Sequence, residues 1–204
     1  MIQKDRILEG AEELFFKAGI RSVTMDDIAK HLGISKKTIY VYYKDKDEVV
    51  TALVDKKLSE DKDRMCEVVE SSLDVMEELI NLMKCAEEFF SKINPILIHD
   101  MQKYHPESWQ ALQRFKADVV VNTFQSILAR GIDQGYVRPE VDPRIMAKMH
   151  VLQVEAGFNS NYFPPAEYNI WKVQLQFLEH FLYGICTTEG REILDNYKNL
   201  IEQQ

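Results

Sequence analysis

Apolar residues recur along this chain at intervals of three and four, the spacing that lines side chains along one side of an α-helix. Ile7, Ala11, Leu14, Phe15 and Ala18 form one such stripe, closed by Gly19. Ile28 and Leu32 fall at i and i+4 before Gly33, and Ile39 and Tyr43 repeat the interval after Ser35. Val50, Leu53, Val54 and Leu58 open a longer helix that starts near residues 45–47 and ends around the charged residues 59–63 or somewhat later. Further helices are expected over 73–92, 95–104, 106–134, 142–159, 167–186 and 189–202. Their punctuation is Pro95, Pro106, Gly131, Gly135, Pro139, Pro143, the Pro164-Pro165 pair and Gly190. No stretch alternates as a half-buried strand would. The predicted fold class is all-α, with a three-helix amino-terminal head containing a helix-turn-helix, and a larger carboxy-terminal helical domain.

Within the head, residues 24–46 carry the most specific pattern. Thr24, with Asp27 three positions on, is a capping signal for a helix starting near Met25. Ala29 offers a small side chain where a second helix must come close, Gly33 supplies the turn, and Ser35 caps the next helix. Ile39 and Tyr43 then point inward, leaving Lys36, Lys37, Thr38, Tyr40 and Tyr42 outside. Lysines in a first helical turn oppose the positive end of the helix dipole, so their position costs local stability. Against a nucleic-acid backbone the same lysines neutralise phosphates and release counterions, and tyrosine hydroxyls donate to phosphate oxygens. Lys46 is expected to add a further phosphate contact. The candidate DNA-binding residues are therefore Thr24, Ser35, Lys36, Lys37, Thr38, Tyr40, Tyr42 and Lys46. The plain alternative is an ordinary helical hairpin with a solvated polar face.

The motif Thr24, Ile28-Ala29, Gly33-Ile34-Ser35, Ile39-Tyr40, Tyr42, Tyr43 and Lys46 resembles the TetR family of bacterial transcriptional regulators over about the first quarter of the chain. Tyr43 stands where the family usually has Phe, and Lys37 where a small residue is common. The resemblance implies a DNA-binding domain over residues 1–46 and a ligand-binding and dimerisation domain over 47–204. It also implies a homodimer paired through the helices at 142–159 and 167–186, and a repressor released from its operator by a small-molecule effector. Residues 135–143 and 181–185 resemble, more weakly, the family's late connections. The 167–186 helix is apolar on two adjoining stripes, Trp171, Leu175, Leu178, Leu182 and Ile185 beside Ile170, Val173, Phe177 and Phe181, so that one stripe is free for core and the other for core or a second subunit. A two-fold dimer calls for a roughly palindromic stretch of double-stranded DNA.

Charge refines this picture. The chain carries a net −8 over its 204 residues, yet residues 1–46 hold nine basic and seven acidic residues, a local +2, which leaves −10 for the rest. Such asymmetry fits an oriented binder rather than a general nucleic-acid coat. Three dispersed cysteines without a CxxC pair fit reduced thiols, and the first residues form neither a signal peptide nor a membrane span, so a cytoplasmic, membrane-free protein is expected. Candidate ligand-pocket residues are Phe89, Met101, Tyr104, Trp109, Phe124, His150 and Gln153, for each of which ordinary packing is the competing role. No GxGxxG, GxxxxGK, GxSxG or HExxH motif is present, and no cofactor, metal or catalytic residue is expected. A helical-bundle enzyme and a protein-binding adaptor without DNA recognition remain as competing functions.

Overall fold

The computed structural model describes residues 3–202, and their regular elements are helical. In chain order they are α1 (Gln3–Ala18), α2 (Met25–Leu32), α3 (Lys36–Tyr40), α4 (Lys46–Ser71), α5 (Val75–Lys92), α6 (Pro95–Tyr104) and α7 (Pro106–Phe115). One π-helical turn, Lys116–Val120, leads into α8 (Val121–Asp133), followed by α9 (Pro143–Gly157), α10 (Ile170–Ile185) and α11 (Thr188–Glu202). Local chemistry explains several starts. Asn94 and Asp142 each accept a backbone N–H two residues on, and each is followed by a proline whose missing N–H costs nothing in a first turn. Asn169 accepts the N–H of Lys172 at the start of α10.

Two departures from the helices expected on periodicity have clear causes. α4 runs on to Ser71 because Met65, Val68 and Val69, beyond the charged stretch, pack on a core of their own. The single helix expected over 106–134 is α7, a π turn and α8, a change of register too short to disturb the apolar period.

The described residues form two compact units. The first comprises the chain up to Asp61 together with Lys92–Phe115. Its core joins Ile7, Ala11 and Phe15 of α1, Ile28 and Ala29 of α2, Ile39, Tyr43, and Val49, Val50 and Leu53 of α4, with Met101 of α6. Trp109 and Leu112 of α7 pack on the edge of this core, so the head is supported by residues well beyond position 46.

The second unit comprises Lys62–Ser91 and the chain from Lys116 onward. Val75, Met76 and Leu79 of α5, Phe124, Ile127 and Leu128 of α8, Ala147 of α9 and Phe181, Leu182 and Ile185 of α10 fill its centre. The Glu78 carboxylate is buried here, and both its oxygens accept from the Arg130 guanidinium at 2.6 Å. The fork geometry satisfies a charge that would be costly unpaired. The two late segments singled out in the sequence meet in this unit. Arg138 N–H donates to the Ile185 carbonyl at 2.9 Å, Thr187 N–H to that of Tyr136 at 2.9 Å, and an antiparallel bridge joins Val137 to Cys186.

Candidate functional site

The head builds its outward face from the caps up. Thr24 accepts the Asp27 N–H at 3.2 Å, while Asp27 accepts the Thr24 N–H at 2.9 Å and its hydroxyl at 2.6 Å. These bonds hold the Asp27 carboxyl below the usual carboxylate range. Gly33 ends α2 at φ +64°, a left-handed geometry that glycine adopts without penalty, and its N–H reaches the Ala29 and Lys30 carbonyls. Ser35 then caps α3 by accepting the Thr38 N–H at 3.1 Å. α2 lies close to α1 because Gly10 has no side chain: a β-carbon there would come within 2.6 Å of Leu32 Cδ2. With Ile28, Ile39 and Tyr43 fixed in the core, the opposite side of α3 has no choice but to face solvent.

That side presents Lys36, Lys37, Tyr40 and Tyr42, all exposed, with Thr38 half-buried beside them. Lys37 and the hydroxyls of Tyr40 and Tyr42 are available for an external partner. Lys36 is shared, because its ammonium lies 2.9 Å from Asp26 and 6.0 Å from the Tyr40 ring centroid. The Asp26 hydrogen bond raises the Lys36 pKa, so it is firmly cationic. Thr38 and Ser35 hydroxyls lie 2.9 Å apart and bond to each other. Cations, phenolic donors and short hydroxyls on one convex helix are the groups that contact phosphate oxygens and base edges.

Two residues depart from the roles their types suggest. The Lys46 ammonium donates to the Ile20 carbonyl at 3.0 Å and the Val23 carbonyl at 2.9 Å, pinning the α1–α2 connection within the head. Val41, which is absent from the residues the sequence pattern singles out, is 73 % exposed at the tip of α3. Its signal in the chain is an aliphatic residue out of step with Ile39 and Tyr43, and such a side chain can contact a thymine methyl group. Tyr43 is buried as its period requires, but its hydroxyl lacks a partner and its pKa is pushed up to about 12 by burial.

The structure divides the candidate pocket residues. Met101, Tyr104 and Trp109 belong to the first unit, where Met101 is core and the Tyr104 hydroxyl accepts from Arg21 at 3.3 Å. In the second unit, Phe89 is exposed near the end of α5. There Phe124 and His150 are brought together, with ring centroids 4.5 Å apart, and Phe181 lies 4.8 Å beyond the imidazole. Burial pushes the His150 pKa down to about 4, so the ring is neutral at physiological pH. The Gln153 carbonyl oxygen is buried without a partner. Neither the Gln174 amide on α10 nor Phe181 is among the sequence candidates; Phe181 falls in an apolar stripe read as packing, and Gln174 is a polar residue outside both stripes. Among the described residues no cluster of His, Cys, Asp or Glu is arranged to hold a metal ion, and no helix is long and apolar enough to cross a membrane.

Comparison with known proteins agrees with this geometry. The sequence model of the family described as "Bacterial regulatory proteins, tetR family" matches residues 7–53, the span of the head with its three helices and the start of α4. The chain is 26 % identical over 185 residues to the HTH-type transcriptional regulator YvaF of Bacillus subtilis (strain 168), a match covering 90 % of this chain and 96 % of that protein. In fold it is similar to the transcriptional regulator FadR from Bacillus subtilis in complex with stearoyl-CoA, with TM-score 0.64, 20 % identity and coverage of 88 % and 98 %. It is also similar to reduced NemR of E. coli, with TM-score 0.74, 14 % identity and coverage of 92 % and 98 %.

Proposed function

We propose that this chain, a member of the TetR family of bacterial transcriptional regulators, is a homodimeric repressor that occupies a roughly palindromic operator and leaves it when a small molecule binds the second unit. The exposed face of α3 carries the reading: Lys36, Lys37 and Tyr40 project from a helix whose other side is locked in the core, and Val41 and Tyr42 are exposed in the turn that follows it. Lys36, Lys37 and the two tyrosines supply phosphate contacts, while Thr38, Lys37 and Val41 are placed to sense bases. A two-fold dimer sets two such helices in major grooves one turn, or a multiple, apart. Ile145 and Leu152, seven residues apart on one side of α9, are 59 % and 61 % exposed. Together with Trp171, Leu175 and Leu178 of α10, half-buried in the single chain, they supply the apolar surface for pairing.

Release follows from linkage. An effector that binds the second unit more tightly when the protein is off DNA must weaken operator affinity by the same factor. α4 is the covalent route, since its first half belongs to one unit and its second half to the other. The chain has the length and fold of FadR, which has been seen with stearoyl-CoA, and that likeness supports a small-molecule effector here. The test is selection of bound sequences from random duplexes. A two-fold symmetric consensus, with affinity falling steeply as salt rises, is the expected result. Binding to no duplex at low salt discards the reading in favour of a helical enzyme or adaptor.

A further inference from the structure

The outward side of the head is rich in lysine, yet several of those ammonium groups already have an anionic or carbonyl partner. Lys36, in the first turn of α3, lies 2.9 Å from the Asp26 carboxylate, a bond that crosses from α3 to α2. Lys44, in the turn after α3, is 3.9 Å from Asp45, and Lys46 donates inward to the Ile20 and Val23 carbonyls. The start of α4 is held by its own acids. The Lys44 N–H donates to Glu48 at 2.6 Å, and the Glu48 N–H donates to Asp45 at 2.9 Å.

Among these acids Asp26 is the one set against a residue of the reading helix. The cap of α2 is complete without it, since Thr24 and Asp27 exchange the reciprocal bonds. An acid in a first helical turn is favoured by the helix dipole, but that benefit does not call for a lysine ten residues further on. The side chains of Asp26 and Lys36 are 67 % and 44 % exposed, so solvent reaches both and the pair contributes little to folding. What the pair does is engage the ammonium. A carboxylate oxygen offers Lys36 the same charge-assisted bond that a phosphate oxygen would, and the lysine holds its proton more firmly for it.

A phosphate therefore meets Lys36 only by displacing Asp26. The freed carboxylate then stands near the phosphate as a like charge. What Lys36 gains from a duplex is its phosphate contact less the bond it gives up.

Resting on the regulator reading above, we infer that Asp26 is a phosphate surrogate: it occupies Lys36 in the free head, is exchanged for a backbone phosphate when a duplex docks, and so lowers the affinity of each head for DNA of any sequence. Fluorescence anisotropy of the full chain on a labelled random-sequence duplex, over a series of salt concentrations, tests it. Asp26→Asn keeps the size of the side chain and removes its charge. It should tighten binding roughly two- to fivefold, the range of an exposed ion pair, and steepen the fall of log affinity with log salt by up to about 0.9, the share of one phosphate. Lys36→Ala separates exchange from plain repulsion: in that background Asp26→Asn should change neither affinity nor slope. Thermal melts identify the folded variants, and Asp26→Ser is the second substitution should Asp26→Asn fail to fold. Unchanged or weaker binding by the folded Asp26 variants, or equal tightening with and without Lys36, overturns the exchange. Wild-type binding to the same duplex at low salt keeps the two readings apart: where it is present and the variants fail, this inference alone falls, and where wild type and variants all bind nothing, the regulator reading falls with it.

Discussion

Lys37 and Lys46 are nine residues apart and carry the same charge, yet their ammonium groups face different partners. Lys37 is exposed on α3, while Lys46 donates to the Ile20 and Val23 carbonyls. Lys37→Ala should leave the melting temperature unchanged and flatten the dependence of log affinity on log salt by roughly 0.9 for each phosphate that the lysine neutralises. Lys46→Ala should instead strip the part-buried Val23 carbonyl of its donor and leave the Ile20 carbonyl with only the Val23 N–H at 3.3 Å, at a cost of roughly 1–3 kcal/mol of stability, read as a lower melting temperature. An unaltered melt for Lys46→Ala would return that residue to the phosphate-binding role its position in the motif suggests. Sequence showed which side chains are cationic; it could not show that the Ile20 and Val23 carbonyls would fold back onto position 46. His150 was legible as a polar group on an apolar face, and its surroundings give it a pH signature. Its folded pKa of about 4 lies below the roughly 6.5 of an unfolded histidine, so the unfolded chain binds the extra proton. The stability this contributes is complete above pH 6.5 and is lost as pH falls from there to about 4, in total on the order of 3 kcal/mol. Denaturant melts of wild type and His150→Asn across that window should converge at low pH relative to their difference at pH 7; parallel curves would show that the ring is not held neutral.

At the scale of elements, legibility tracked the presence of a local signal. α2 begins at the cap read from Thr24, α6 and α9 begin at the prolines read as punctuation, Pro95 and Pro143, with the caps Asn94 and Asp142 seen only in the structure, and the helix expected over 95–104 matches α6. The far end of α4 was obscured because residues 59–64 are mostly charged, and the packing that extends the helix comes from Met65, Val68 and Val69 after them. The π turn at Lys116–Val120 left no mark, since five residues cannot separate one helical period from another. α2 is only eight residues long, too short to persist without its ends secured. Thr24→Ala removes the hydroxyl that accepts the Asp27 N–H and donates to the Asp27 carboxylate, leaving only the backbone N–H bond to that carboxylate, and should cost about 1 kcal/mol, whereas Thr24→Ser should cost little. Amide exchange of α2 in the full chain is the measurement. Faster exchange confined to α2 and α3 is expected for the alanine variant, with a matching fall in affinity for all duplexes alike; exchange equal to wild type would show that tertiary packing alone fixes the helix.

For the molecule as a whole, charge and apolar surface point the same way. The excess positive charge lies in residues 1–46, while the remaining chain carries −10, so a duplex is drawn to the head and repelled by the rest of the chain. A head with +2 and a short reading helix makes few contacts by itself, so on the proposed reading the strength of operator binding comes from two heads acting together. That places the burden on the surface of α9 and α10 bearing Ile145 and Leu152, more than half exposed in the single chain. The sequence revealed two apolar stripes on α10 but not which faced inward; the structure buries Ile170, Val173, Phe181, Leu182 and Ile185 and leaves Trp171, Leu175 and Leu178 half-covered. Leu152→Glu puts a charge into the proposed interface without touching the core of the unit, so the chain should fold, sediment as a monomer and bind a palindrome no better than a single half-site. Wild type should sediment as a dimer and prefer the palindrome by two to four orders of magnitude, roughly the gain that linked binding confers. A Leu152→Glu chain that remains dimeric and keeps that preference would mean that the two reading helices are joined through some other surface.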